Sequence, residues 1–373
     1  MSAVSVNSVT YAPIAARPAP ATTRGVGWVK RNLFGSAFSS LATLAVIAAL
    51  IYYVPPLIEW AIVNAVIRPD NAACRALDHA GACWGVIAEK YRLIIFGRYP
   101  FDEQWRPLAA TLLMVATLVA SCTRALWSKW LVLAWAFVFA VFFILMRGGI
   151  FGLSEVETDR WGGLPLTLLL STIGIAAAFP LAVLVALGRR SHLPALRTIC
   201  IVYVELIRGV PLISVLFMAS FMFPLFMPPG VTINVLLRVL VGITLFAAAY
   251  LAEVVRGGLQ AIPSGQHEAA ASLGLSYWQT QRKIVLPQAL RLVVPSIMNS
   301  FISTFKDTSL VTIVSLYELT GSVTLALAGD SDWRPFFVEA YLFIGAIYWI
   351  FCFAMSRYSQ WVEDHLNVGH RRA

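Results

Sequence analysis

The sequence predicts an all-α integral membrane protein with eight transmembrane helices, and three observations carry that expectation. The 373 residues are 59% hydrophobic and only 13% charged, with a mean hydropathy of +0.76. A water-soluble domain of this length does not hide so much apolar surface. Uncharged runs recur at about 17 to 25 residues, the length that crosses a bilayer core. Lys and Arg gather in alternate connecting segments.

Runs at 32–58, 161–188 and 209–237 are long enough outright, and those at 107–123, 130–146 and 340–356 reach the lower limit. Two further runs, 239–252 and 292–305, are shorter, bounded by Arg238 and Glu253 and by Arg291 and Lys306. Spans interrupted by charge are expected to face the bundle interior or a water-filled path, because an unpaired charge against lipid is costly. With eight spans and the N-terminus inside, the inside segments collect most of the 28 Lys and Arg residues, which places both termini in the cytoplasm. The net charge of +9 is then a matter of topology and contact with anionic lipid headgroups. The basic residues are scattered over several loops, which argues against nucleic-acid binding.

Residues 1–31 are rich in Pro and Ala and lack periodicity, so a disordered cytoplasmic tail is expected. They lack the pattern of a cleaved signal peptide, and the first span is expected to stay as an anchor. Residues 32–160 give three helices and an external segment at about 66–106 that contains two of the five cysteines, Cys74 and Cys83. In an oxidising compartment these two are placed to close a short disulfide loop, and two free thiols are the alternative. Residues 161–357 give five helices, and 358–373 a second cytoplasmic tail. Gly174 and Ala176 to Ala178 allow close helix approach, while Pro180, Pro211 and Pro224 are expected to kink their spans.

Between two spans, at about 263–287, lies a polar stretch that reads as a short helix-turn-helix. The Ala-rich run around Glu268, Ala269, Ala270 and Ala271 favours helix, and Gly274 suits a left-handed end. Ser276 with Gln279 forms a capping box that opens a second helix, expected to stop before Pro287. The first helix is too short to be stable alone, so it must pack against something. A passive corner and a partner-docking helix both fit. A DNA-reading unit does not, because the segment is tied to the membrane at both ends and carries few basic residues.

This stretch, "EAAASLG" followed by "IVLP", resembles the EAA loop of importer-type ABC transporter permeases, with Glu268, Ala269, Ala270, Gly274, Ile284, Leu286 and Pro287 in the motif frame. "VELIRGVPLI", "AAAYLAEVVRGGLQAIPSGQHEAA" and "FKDTSLVTIVSLYELT" extend the resemblance to the polar amino-acid permease subfamily, over about 162–357. The extra N-terminal helices are similar to those of the M-type permeases of general L-amino-acid uptake systems.

The resemblance implies a five-helix type I ABC importer core in a bacterial inner membrane, moving L-amino acids inward. It implies a Q-type permease, two copies of an ATPase and a periplasmic amino-acid-binding protein as partners. The EAA loop would be the coupling helix, with Glu268 as a charged anchor, Ala269, Ala270 and Leu273 filling a groove of the ATPase, and Gly274 making the corner. The chain has no phosphate-binding loop of its own, so ATP and Mg are expected on the ATPase and no cofactor or metal here. The chain is expected to be non-catalytic.

Two polar sites interrupt the apolar spans. Lys306 and Asp307, with Ser303, Thr304, Thr308 and Ser309 around them, suit a zwitterionic substrate along a pathway, or else form an ion pair that orders a helix break. Glu253 and Arg256, three apart on one helix face, and Arg208 with Glu205 before it, read as gating or structural pairs. An ion-gradient-driven secondary transporter or channel is the alternative, and the missing internal repeat argues against it. A membrane scaffold without transport is a third reading.

Overall fold

The computed structural model describes residues 26–78 and 80–367. They divide into two units between Ala65 and Val66. The first contains α1 (Val26–Leu33) and α2 (Ala37–Ile58). Ser36 caps α2, with the Ser39 N–H donating to its Oγ at 3.1 Å. The Ser39 and Thr43 hydroxyls donate to Leu33 O at 3.0 and 2.8 Å, which satisfies a carbonyl that the end of α1 leaves open. No residue of α2 is buried, as expected of a helix solvated by lipid. The expected disordered tail is therefore wrong over 26–31, where Trp28, Val29 and Leu33 give α1 an apolar side beside Lys30 and Arg31. Residues 1–25 lie outside the described residues.

The second unit contains α3 (Asn71–Ala76), α4 (Gly85–Phe96), α5 (Trp105–Ser121), α6 (Trp130–Arg147) and α7 (Gly163–Arg189). It continues with α8 (Pro194–Arg208), α9 (Leu212–Phe217), α10 (Val235–Gln260), α11 (Ser264–Ser272), α12 (Tyr277–Thr280), α13 (Leu286–Asp307), α14 (Leu319–Ala328) and α15 (Phe337–Asn367). Among the described residues six helices are long and apolar enough to cross a membrane, or seven when one bent pair counts as a single span. α5, with 17 residues, stands at the lower limit of about 17.

Several expected spans change their bounds. The run at 209–237 is not one helix: its helical part is Leu212–Phe226, residues 227–234 are non-helical and α10 starts at Val235, while before it α8 meets Leu212–Phe226 at 105°. Pro211 removes a backbone donor and disfavours helix at the residue before it, so the chain turns there. The run at 239–252 widens into α10, which takes Arg238 and Glu253 inside the helix. The run at 292–305 belongs to a helical path from Tyr277 to Val314. α15 likewise continues to Asn367, ten residues into the expected tail at 358–373, and residues 368–373 lie outside the described residues.

The division at residue 160 also moves, because the segment 66–106 packs with the C-terminal helices. Cys74, Cys83, Val86 and Ile94 share one buried cluster with Leu319, Val323, Trp333, Phe336 and Ile344. Gly163, at φ +62°, starts α7 hard against the Ile95 carbonyl, where any Cβ would collide. Small residues set the helix spacing deeper in the unit. A Cβ on Gly174 would meet Ile243 at 3.1 Å, and Ala178, Ala182, Ala247, Ala248 and Ala252 line the same α7–α10 contact.

Candidate functional site

At one end of the bundle, α11 and α12 form the helix-turn-helix. The Leu275 N–H donates to Ala270 O at 3.1 Å and the Gly274 N–H to Ala271 O at 2.9 Å. This double closure is the Schellman pattern, which needs its penultimate residue left-handed. Gly274 has φ +67°, and nothing lies within 4 Å of a Cβ placed on it. The demand for glycine is thus conformational, not steric. The capping box follows: the Ser276 N–H donates to Gln279 Oε1 at 2.9 Å and the Gln279 N–H to Ser276 Oγ at 3.4 Å.

The second helix does not stop before Pro287. A π turn over Gln281–Val285, closed by the Leu286 N–H on Gln281 O, widens the register one residue ahead of the proline. Pro287 then sits in the first turn of α13, where its missing N–H costs little. Glu268, Ala269, Leu273, Gly274 and Pro287 are exposed, whereas Ile284 is half-buried. Ala270 is 1% exposed and turned into its own chain, so it cannot fill a partner's groove. Leu286 is half-buried and packs against the buried cluster that includes Leu187, Val255, Leu259, Val285 and Ala289. Leu273, 76% exposed, projects at the corner near Tyr277 and Trp278, two exposed aromatics that sequence reasoning passed over.

Above this corner the ends of α7, α8 and α10 share a network of charge. Arg189 donates to Glu253 Oε2 and to Glu205 Oε1, both at 2.9 Å. Arg256 Nε donates to Glu253 Oε1 at 3.0 Å, and Arg208 Nη1 stands 3.7 Å from Glu253 Oε2. Glu253 is the hub, and Arg208 pairs with it, not with Glu205 as its spacing implied. Arg189 was missed because its partners lie on other helices. Three guanidiniums face two carboxylates, and the Arg208 guanidinium stands 5.6 Å from the Tyr250 ring centre.

Tyr250 also lines a cavity of about 430 Å³, apolar at Leu212, Phe246 and Ala247 and polar along Asn299, Ser300, Ser303, Thr304 and Asp307. Asn299, Ser303 and Asp307 are four residues apart and so form one stripe along α13. Thr304 is 6% exposed and donates to Ser300 O at 2.9 Å, so its hydroxyl serves its own helix. Lys306 and Ser309 do not line the cavity. One helical residue turns the side chain by about 100°, which carries Lys306 off the Asp307 face. Among the described residues no ion pair within 4.0 Å joins Lys306 to Asp307. The described residues thus show no ion pair of Lys306 with Asp307 to order a helix break, and only Asp307 of the two lines the cavity.

At the opposite end the segment 66–106 clamps the α14–α15 loop. A disulfide joins Cys74 to Cys83, with the Cα atoms 5.4 Å apart. Arg75 pairs with Asp332 at 2.7 Å and Lys90 with Asp330 at 2.8 Å. The Lys90 ammonium, together with the Asp332 N–H, holds the Asp330 carboxyl below its ordinary range. The Cys83 N–H donates to Glu339 Oε1 at 2.8 Å.

A helical membrane bundle with an exposed capped corner at one end and a partly polar cavity within is the setting for comparison with known proteins. Residues 178–368 match the family described as binding-protein-dependent transport system inner membrane component. The inner membrane amino-acid ABC transporter permease protein YhdY of Escherichia coli is 47% identical over 94% of this chain and 96% of its own. The chain belongs to this family.

The glutamate/glutamine/aspartate/asparagine transport system permease protein BztC of Rhodobacter capsulatus is 33% identical, over 96% of this chain and 98% of its own. A solved amino acid ABC transporter crystallised with histidines is 27% identical over 54% of this chain and 92% of its own, with a TM-score of 0.48. The chain is therefore a multi-span permease of ABC importer type, a family that works with ATPase subunits. A carrier driven by an ion gradient is not supported.

Proposed function

We propose that the chain is the permease subunit of an ATP-driven importer that carries L-amino acids from the periplasm to the cytoplasm across a bacterial inner membrane. The observation that carries this reading is the exposed α11 corner, with Glu268, Ala269 and Leu273 outward and Gly274 locked left-handed. A short rigid knob of this kind fits a groove on an ATPase, two copies of which bind and hydrolyse ATP with Mg. The amino-acid class rests on the names of the two full-length relatives. A Q-type permease completes the pathway, a periplasmic amino-acid-binding protein delivers the substrate, and both termini lie in the cytoplasm.

Within this reading the cavity along Asn299, Ser303 and Asp307 is the substrate path. The Asp307 carboxylate suits an α-ammonium, and the amide and hydroxyls of the stripe suit a carboxylate or side chain in transit. The Glu253 network, which ties three helix ends together, serves as the gate on the coupling side. Uptake of labelled amino acids in a strain lacking this chain, with a panel of competitors, tests the proposal. Restoration by the native gene is expected, together with co-purification of an ATPase in mild detergent. Uptake that persists without the chain would refute it.

A further inference from the structure

A second feature lies at the other end of α10, away from the coupling corner. Arg238 stands one turn inside this span, where an unsatisfied guanidinium is costly. It donates from Nη1 to Ser220 O. Its Nε is buried without a hydrogen-bond partner, as is the hydroxyl of neighbouring Ser220. Two donors thus stand unsatisfied at one spot.

Arg238 also forms part of the shared wall of two cavities. One, of about 500 Å³, is lined almost wholly by apolar side chains, among them Met218, Met222, Val241 and Leu245. The other, of about 180 Å³, lies against the loop before α10 and includes Thr232. From Arg238 to Leu245 the helix rises about 10 Å, so the apolar groove runs from the guanidinium toward the middle of the span.

We propose that this pair of cavities binds an anionic phospholipid. The phosphate takes the Arg238 guanidinium beside Thr232, and an acyl chain lies in the groove past Met222 and Leu245. Charge complementarity selects the occupant: among the described residues no carboxylate lies within 4.0 Å of Arg238, so a neutral chain would leave the guanidinium charge unpaired, and a free phosphate would leave the 500 Å³ apolar groove empty. The site is separate from the coupling corner and from the cavity at Asp307, and it does not rest on their assignment.

The test uses the assembled transporter, purified with its partner subunits and equilibrated with equal amounts of phosphatidylglycerol and phosphatidylcholine, with retained lipid counted by native mass spectrometry. Preferential retention of phosphatidylglycerol is expected, falling about tenfold in Arg238→Gln and persisting in Arg238→Lys. Val241→Trp, which fills the groove from an exposed position, is expected to reduce retention while leaving Arg238 in place. Arg238→Gln complexes that elute normally and keep the full phosphatidylglycerol signal would overturn the proposal. So would efficient cross-linking of Met222→Cys to the partner permease, since a protein surface would then cover the groove.

Discussion

The Tyr348 hydroxyl donates to Glu318 Oε2 at 2.7 Å, joining α15 to the first turn of α14. Glu318 is fully buried. Its carboxylate also accepts from the Thr320 and Gly321 N–H groups at 2.8 and 3.0 Å, from Thr167 Oγ1 at 3.2 Å and from Thr312 Oγ1 at 3.3 Å. One side chain thus caps α14 and ties it to α7, to α15 and to the turn after α13. Loss of one donor from a buried carboxylate costs about 1–3 kcal/mol. Tyr348→Phe is expected to lower the unfolding temperature in detergent without blocking membrane insertion, and Glu318→Leu, which removes the shared acceptor, to lower it further. Size-exclusion profiles after a temperature ramp measure both.

Gly274→Val is expected to abolish uptake while the protein still inserts and accumulates. A β-branched residue in the left-handed region costs roughly 1–2 kcal/mol, and no neighbour crowds the site, so the damage is confined to the corner. Gly274→Asn, which tolerates that conformation, should retain most activity. Equal uptake by the Val and Asn variants would remove the link between corner geometry and transport.

The cavity separates two adjacent charges that the sequence presents as equals. Asp307→Asn is expected to reduce uptake by roughly ten- to a hundredfold, the equivalent of a charge-assisted hydrogen bond of about 1.5–3 kcal/mol. Lys306→Gln, off the cavity, is expected to change uptake by less than about twofold. Initial-rate measurements on the two variants decide whether the stripe, and not the dipeptide, carries the substrate.

The clamp of segment 66–106 on the α14–α15 loop is expected to respond to acid and to reductant. Asp330 has a folded pKa below its unfolded value of about 3.9, so it adds stability that is fully present above that value. The contribution is lost as pH falls through the lower, folded pKa. Hydrogen exchange in the segment Gly329–Arg334 should therefore rise on acidification below about pH 4, and Lys90→Ala should remove most of that dependence.

Blocking free thiols before reduction should leave Cys74 and Cys83 unlabelled by a thiol-reactive polymer, and reduction should expose both to it. The Cys74→Ser, Cys83→Ser double variant loses a constraint worth about 2–4 kcal/mol. Faster proteolysis of the segment 66–106 is the expected result.

By itself the sequence determined the helical membrane class, the rough place of most spans though not their ends, and the capped corner at Gly274 with Ser276 and Gln279. These features depend on local chemistry: run length, capping geometry and the freedom of glycine act over a few residues and need no distant partner. The α13 stripe was legible too, in the four-residue spacing of Asn299, Ser303 and Asp307, although adjacency drew attention to Lys306 instead. Only the tertiary structure decided that Ala270 and Leu286 face inward, that Glu253 gathers Arg189 and Arg208 from other helices, and that residues 66–106 pack with α14 and α15. It also decided that Pro211 sets α8 at 105° to the segment Leu212–Phe226 while another proline, Pro287, is absorbed. Each of these depends on which groups meet across long sequence separations, and such meetings are set by the packing of whole helices.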